Sequence, residues 1–152
     1  MVEWRSPKPL IKVRILVGPH MELQVGVKVL LKNPEGKFLL MRRSAYEERG
    51  VGKWDIAGGR IEKGVQLMEN LRREVAEETG LEIVGEPKLL AAQDIIWPDR
   101  HVVRITYIAE ANGKPKLSPE HDEYGWFSYK EMTKLDKMDD YIKKLLDAGI
   151  TF

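Results

Sequence analysis

The sequence predicts an α/β protein of three layers, in which one mixed β-sheet lies between helices. Several short runs are typical of strands, and one of them, residues 10–17, alternates apolar and charged residues with the period of two of a half-buried strand. Two other segments carry apolar residues at helical spacing, so strands outnumber helices. The 152 residues contain no repeat, low-complexity tract or linker. We therefore expect a single domain over 1–152, with an N-terminal strand extension at about 1–20.

The first predicted elements are strands. Residues 10–17 alternate apolar and charged side chains, and the Gly-Pro-His that follows predicts a turn. Two further strands are predicted over 21–33 and 37–43, joined by the hairpin signal "NPEGK" at 33–37. A polar loop then leads into the short strand "WDIAGG", which ends in a glycine pair.

A helix is predicted from about Val65 to Thr79, with Gly80 as a left-handed C-terminal cap. Three predicted strands follow this helix, at 87–97, 101–111 and 123–129. An amphipathic helix within 138–149, ending at Gly149, closes the pattern. The two helices are expected to cover opposite faces of the sheet.

Composition excludes several kinds of site. The chain has no cysteine and three scattered histidines, so thiol catalysis is excluded and any metal is expected to have oxygen ligands. A net charge of +1 gives no reason to expect binding to polymeric nucleic acid or to a membrane surface. Apolar runs are too short to span a bilayer, and charges interrupt the N-terminal segment, so we expect a cytoplasmic protein.

The predicted central helix has acids on the edge of its apolar face. Positions 67, 71, 74 and 78 form one stripe, in which Leu67 and Leu71 are followed by Glu74 and Glu78. Glu77 lies one turn from Glu74. Three carboxylates near a helix C-terminus repel one another and the helix dipole, and a hard cation such as Mg²⁺ or Mn²⁺ relieves that repulsion. The alternative is a solvated acidic face neutralised by neighbouring arginines.

The glycine pair favours the metal hypothesis. Gly58 and Gly59 end a strand just before this helix, so the backbone there can approach a ligand closely. A loop whose backbone can come close to a ligand, opposite a cluster of carboxylates, is suited to binding a phosphate group through a metal ion.

These residues resemble the signature of the Nudix hydrolases, G-x5-E-x7-R-E-U-x-E-E-x-G-U, where U is a bulky aliphatic residue. The matching residues begin at Gly59 and continue with Arg73, Glu74, Val75, Glu77, Glu78, Gly80 and Leu81. The resemblance implies a Nudix-type α/β/α sandwich with a catalytic loop–helix–loop. Similarity to the family extends over roughly 24–146 and leaves the first twenty residues outside.

One signature position departs from the pattern, because Val65 stands where the family has its first Glu. In the family that Glu mainly orients the signature arginine, so the departure predicts a less restrained Arg73 and lower activity, with metal binding retained. Glu62 and Glu69 are close in sequence, but their spacing does not identify either as a substitute. Val65→Glu is then expected to raise turnover.

The resemblance also implies roles for the site. The carbonyl of Gly59 with Glu74, Glu77 and Glu78 would hold Mg²⁺, or Mn²⁺ in its place. Arg73 would orient the acids. Glu74 or Glu120 would deprotonate the attacking water, Glu120 standing six residues before Trp126 as in relatives that act on nucleoside triphosphates. Without the signature, Glu120 is an ordinary loop acid.

Substrate contacts are expected from residues outside the helix. Arg43, at a strand end, resembles the family's phosphate- or base-binding arginines, although a strand end entering solvent has the same pattern. Gly58 lies beside the predicted metal site. A nucleobase needs stacking and edge contacts, for which Tyr46, Trp54, Asp55 and Trp97 are candidates and equally core or rim residues.

The resemblance implies a metal-dependent hydrolase that cleaves a phosphoanhydride of a nucleoside diphosphate linked to another group. We expect a (d)NTP to be converted to NMP and pyrophosphate. ADP-ribose or another NDP-sugar is the alternative substrate, and a non-catalytic nucleotide-binding module is an alternative of another class. The β-branched stripe of residues 11–17 either extends the domain's own sheet or makes a homodimer contact.

Overall fold

The computed structural model describes residues 21–152, which contain seven strands and three helices. The strands are β1 (Glu22–Lys32), β2 (Phe38–Arg43), β3 (Trp54–Asp55), β4 (Ala57–Arg60), β5 (Ile83–Ile96), β6 (Arg100–Ala111) and β7 (His121–Phe127). The helices are α1 (Leu67–Thr79), α2 (Tyr129–Met132) and α3 (Asp140–Asp147). The predicted strand at 10–17, its turn and the predicted dimer contact lie outside the described residues.

All seven strands belong to one mixed sheet, as predicted. Its main path runs β3-β2-β1-β6-β5, while β4 also pairs with β1 and β7 with β2. The central pair, β1 and β6, is parallel from Glu22 opposite Arg100 to Lys32 opposite Glu110. The remaining pairs are antiparallel. The sheet therefore brings residues of β6 beside β1 despite a long separation in sequence.

Apolar side chains of the strands form two layers, one on each face of the sheet. Val27 and Val29 of β1 pack towards Leu71 and Val75 of α1. On the opposite face, Leu30, Phe38 and Leu40 pack with residues of α2 and α3, among them Met132, Ile142 and Leu146. Because neighbouring strand residues point to opposite faces, this sequence supplies both cores at once. The three-layer α/β class is confirmed.

Local hydrogen bonds explain how two element boundaries differ from the prediction. Helix α1 begins at Leu67 rather than Val65, because the Val65 N–H donates to the Glu62 carbonyl in a turn (3.2 Å). The "WDIAGG" strand is two strands, β3 on β2 and β4 on β1. The Asp55 carboxylate accepts the Ile56 N–H (2.7 Å) where the chain changes neighbours.

Two further boundaries depend on tertiary pairing. Strand β5 begins at Ile83, earlier than predicted, because irregular pairing lets it continue past Gly85 (φ 72°) along β6. Strand β7 ends at Phe127, and Ser128 caps the short helix α2, which the sequence did not predict, in a reciprocal capping box with Glu131. Within residues 21–152, the helices lack the length and apolar character that a bilayer crossing requires.

Candidate active site

A cavity of about 520 Å³ contains most of the predicted site residues. It is bounded by parts of β1, β4, β6 and α1, and by the residues that lead into β7. Its lining includes the acids Glu74, Glu78 and Glu120, the bases Lys28, Arg43 and Arg104, and the glycine pair. A second cavity of about 510 Å³ shares Lys28, Arg43, Arg104 and Trp97 with the first, so the two adjoin.

The acids of α1 are enclosed where its apolar stripe would continue. Glu78 is 6% exposed, beside Leu71 and Val75, which are fully buried. Its Oε2 accepts the Gly58 N–H (2.9 Å). Burial raises the pKa of Glu78 to about 8, although Lys28 and the Gly58 N–H act in the opposite direction. Burial also raises the pKa of Glu74, with Arg73 opposing it.

The glycine pair lets the backbone of β4 lie directly against β1 and α1. A Cβ on Gly58, where φ is 129°, would lie 2.1 Å from the Val27 carbonyl oxygen. A Cβ on Gly59 would lie 3.1 Å from the Glu74 carboxylate. Position 58 therefore requires glycine, whereas a side chain at Gly59 would have to displace the Glu74 carboxylate.

Arg73 is restrained, contrary to the expectation from Val65. Its Nη1 donates to Glu62 Oε1 (2.5 Å) and its Nη2 to Asn70 Oδ1 (2.8 Å). The same Nη2 donates to Glu74 Oε1 at 3.3 Å. Arg73 thus connects an acid of the preceding loop with a carboxylate of the cavity.

Asp55 binds two of the basic side chains that line the cavity. Its carboxylate is 1% exposed, and Oδ2 accepts from Lys28 Nζ (3.0 Å) and Arg43 Nη1 (3.1 Å). Burial alone would raise the pKa of Asp55, but Lys28, Arg104 and the Ile56 N–H together hold it well below its usual range. This enclosure favours a positioning role over the direct nucleobase contact that we expected.

Arg104, which the sequence analysis did not single out, lies at the junction of the two cavities. It is 5% exposed, with Nη2 3.0 Å from Asp139 Oδ1 and the guanidinium 5.4 Å from the Tyr141 ring centre. Its Nε has no hydrogen-bond partner among residues 21–152. A buried arginine with unused donors lining a cavity is suited to an anionic or acceptor-rich ligand.

The aromatic candidates divide into core and cavity positions. Trp54 packs edge-to-face on Phe127, with 5.3 Å between ring centres, and belongs to the α3-side core. Trp97 lines both cavities and has the Arg49 guanidinium 4.6 Å from its ring centre. Tyr46 lines the second cavity and is 76% exposed. Only Trp97 and Tyr46 of the predicted aromatics therefore border the cavities.

The donor chemistry fits a hard divalent cation. Three carboxylates, Glu74, Glu78 and Glu120, share one cavity with the glycine pair, and their mutual enclosure is costly without positive charge. Glu77 is exposed and lies outside the cavity lining. Across the described part of the chain, no three acidic or histidine side chains form a preformed metal cluster.

Lys28, Arg104 and His121 were not predicted as site residues, because their signal in the sequence is weak. Lys28 and Arg104 each interrupt an apolar strand, a pattern that solvent-facing strand residues also produce. His121 is 8% exposed and lines the cavity. Burial, with Lys28 adding to it, lowers the pKa of His121 to about 4, so this ring is neutral near pH 7.

Comparisons with known proteins show which proteins this chain resembles. The family model described as NUDIX domain matches residues 22–148, which includes all elements described above. A nucleoside triphosphatase, NudI of Escherichia coli K12, is 28% identical over 126 residues, covering 70% of this chain and 83% of the relative.

Solved structures with the same fold are also similar in sequence. The MutT protein of Methanosarcina mazei Go1 superposes with a TM-score of 0.76 at 30% identity, covering 84% of this chain and 93% of that one. The ORF135 protein of E. coli superposes with a TM-score of 0.70 at 26% identity, covering 87% and 93%.

Proposed function

Since the chain belongs to the Nudix hydrolase family and is a pyrophosphohydrolase acting on acid anhydrides, we propose that it converts a (d)NTP to the monophosphate and pyrophosphate. One observation carries the proposal. A single cavity is lined both by carboxylates, Glu74, Glu78 and Glu120, and by cations, Lys28, Arg43 and Arg104. Phosphoanhydride hydrolysis needs both kinds of charge, one for a metal and a water, the other for phosphate oxygens.

The proposed metal is Mg²⁺, with Mn²⁺ as a substitute. The residues to hold it are the Gly59 carbonyl, Glu74, Glu77 and Glu78, of which Glu77 is the most exposed. The chemistry that the bound metal supplies is neutralisation of charge on the phosphate and leaving oxygens. Oxygen-only ligands match a chain without cysteine.

The chain's own side chains supply orientation and proton transfer. Arg73 holds Glu74 through the 3.3 Å contact of its Nη2. We assign the general base to Glu74, which lies against Gly59, and keep Glu120 as the alternative, because both line the cavity. Either carboxylate would take a proton from water as the oxygen attacks phosphorus.

We assign binding of the nucleotide to the basic residues of the first cavity and to the adjoining second cavity. Arg43 and Arg104 line both cavities and are proposed to bind phosphate oxygens or acceptor atoms of the base. Trp97 offers a ring face at the same junction for stacking. Gly58 keeps the backbone close to the ligand, and Asp55 acts by holding Lys28 and Arg43 in place.

The name of the E. coli relative, a nucleoside triphosphatase, supports triphosphates over the alternative ADP-ribose or NDP-sugars. Retention of the signature acids supports catalysis over a non-catalytic nucleotide-binding module, because enclosed carboxylates of this kind are costly without a function.

A substrate panel with Mg²⁺ tests the proposal. The purified full chain is incubated with the eight common NTPs and dNTPs, ADP-ribose and an NDP-glucose, and products are separated by ion-exchange chromatography. We expect NMP and pyrophosphate in equal amounts from at least one triphosphate. The Glu78→Gln variant serves as the inactive control.

The panel distinguishes all three hypotheses. Preferential release of AMP and ribose 5-phosphate from ADP-ribose would identify the alternative substrate class. Release of single phosphates from a triphosphate would contradict cleavage to the monophosphate. Binding of nucleotides by calorimetry with no turnover of any compound would support the non-catalytic module.

A further inference from the structure

Arg73 is held by an acid that does not occupy the signature position. We propose that Glu62 is the positioning residue for Arg73, and through it for Glu74, in place of the acid that is absent at Val65. The inference rests on the proposed function, since Glu74 is the proposed base and metal ligand. It concerns how this chain keeps Arg73 oriented despite its departure from the family pattern.

The contacts form a chain from the loop to the cavity. Glu62 Oε1 receives Arg73 Nη1 at 2.5 Å, which fixes one arm of the guanidinium. The other arm, Nη2, reaches Asn70 Oδ1 at 2.8 Å and Glu74 Oε1 at 3.3 Å. Because the guanidinium is planar and rigid, an acid on Nη1 determines how Nη2 faces Glu74.

The backbone of the loop carries Glu62 to this place. The Ile61 N–H donates to the Val25 carbonyl (2.9 Å), which ties the start of the loop to β1. The Val65 N–H then returns to the Glu62 carbonyl (3.2 Å), and Gly64 has φ 82°, so the chain turns between them. This turn presents the side chain at position 62 to α1 three residues earlier than the signature spacing.

The pair is exposed, and this limits its effect on stability. The side chains of Glu62 and Arg73 are 59% and 36% exposed. Ion pairs in water contribute little to folding because solvent screens them and their side chains lose conformational freedom. The contribution of Glu62 is therefore expected in the orientation of Arg73 and Glu74, which catalysis and metal affinity measure directly.

The same geometry changes the expectation for Val65. Arg73 already has an ionic partner, so Val65→Glu alone is expected to leave turnover nearly unchanged, contrary to the gain predicted from the sequence. In a Glu62→Gln background, however, a glutamate at position 65 would give Arg73 a new carboxylate partner from the loop. It should therefore restore kcat and Mn²⁺ affinity.

Four proteins test the inference: wild type, Glu62→Gln, Glu62→Gln with Val65→Glu, and Glu69→Gln. The last removes an exposed acid of the first turn of α1 and is the matched control. Three quantities are measured: kcat and KM on the best triphosphate, the Mn²⁺ dissociation constant by electron paramagnetic resonance, and Tm.

We expect Glu62→Gln to lower kcat, or weaken Mn²⁺ binding, by about tenfold or more, with a smaller change in KM. Its Tm should stay within about 2 °C of wild type, as for an exposed ion pair. The double variant should recover most of the loss, and Glu69→Gln should behave as wild type.

Each contrary result overturns the inference. These are an unchanged kcat and Mn²⁺ affinity in Glu62→Gln, a large fall in its Tm, or no recovery in the double variant. If wild type and Glu69→Gln hydrolyse no triphosphate, the proposed function fails, and the Mn²⁺ affinities alone decide the role of Glu62.

Discussion

At the scale of single residues, the two adjacent glycines have different structural tasks. Gly58 combines a left-handed φ of 129° with contact to the backbone of β1, where nothing flexible can move aside. Gly59 instead meets the end of a side chain, the Glu74 carboxylate. The first glycine is therefore required by the fold, and the second leaves room for the Glu74 carboxylate.

This difference predicts opposite consequences for two alanine substitutions. Gly58→Ala should destabilise the protein by about 3 kcal/mol or more, since the new Cβ clashes with the Val27 carbonyl. Gly59→Ala should keep most of the stability, while displacement of Glu74 lowers kcat by about ten- to a hundredfold. Urea denaturation and steady-state kinetics measure the two effects. Equal losses of stability in both variants would contradict the separation.

At the scale of elements, α1 connects the core to the cavity. Leu71 and Val75 bury its apolar face against the sheet, and the same face continues into Glu78 and, at its edge, Glu74. Gly80 ends the helix in the left-handed conformation (φ 66°), with its N–H on the Ala76 carbonyl. Packing of Leu71 and Val75 against the sheet thus determines where the Glu74 and Glu78 carboxylates lie in the cavity.

If α1 holds Mg²⁺ in this way, the metal should stabilise the folded chain by mass action. At about 100 times its dissociation constant, Mg²⁺ should add about 2.7 kcal/mol, a gain of several degrees in Tm. Glu78→Gln should remove most of that gain, while its amide oxygen can still accept the Gly58 N–H. Differential scanning fluorimetry with and without Mg²⁺ provides the measurement, with Glu69→Gln as the control. A variant that keeps the full Mg²⁺ response would exclude Glu78 as a ligand.

At the scale of the whole molecule, one buried carboxylate links four strands. Asp55 of β3 pairs with Lys28 of β1 and Arg43 of β2, and Arg104 of β6 lies 3.8 Å away. Removal of Asp55 would leave Lys28, Arg43 and Arg104 without the carboxylate that they share. The network therefore contributes to the stability of the sheet, and it also holds the basic side chains that line the cavity.

Asp55→Asn should destabilise the protein at pH 7 by about 3–5 kcal/mol. The pKa of Asp55 is lower in the folded chain than in the unfolded chain, so its contribution is complete above about pH 4 and falls at lower pH. The difference in unfolding free energy between wild type and variant should consequently narrow between pH 4 and pH 2. Urea denaturation across this range measures it.

Asp99→Asn is the control for this prediction, because Asp99 is an exposed acid whose carboxylate pairs with Arg100 at 2.7 Å. Its substitution should have little effect at any pH. The unfolding free energies of wild type and Asp55→Asn could instead differ by the same amount down to pH 2. That result would show that the charge of Asp55 is not the origin of the stabilisation.

Local spacing was enough to predict the class of fold and the helix that carries the signature acids. Residues three or four apart share a helix face, so the proximity of Leu71, Glu74 and Glu78 follows from the sequence alone. Consecutive apolar residues in β1 and β2 point to opposite faces of the sheet, and both faces are covered. The signature over 59–81 determined the family, as the match over 22–148 confirms.

Only the tertiary structure decided which distant side chains complete the site. Lys28 and Arg104 join Asp55 because β6 lies parallel to β1, and a charged residue in an apolar strand has the same pattern whether it faces solvent or a cavity. Glu62 meets Arg73 because a turn at Gly64 changes the direction of the chain between them. Sequence spacing specifies contacts along one regular element, whereas contacts across a turn or between strands depend on how the elements pack.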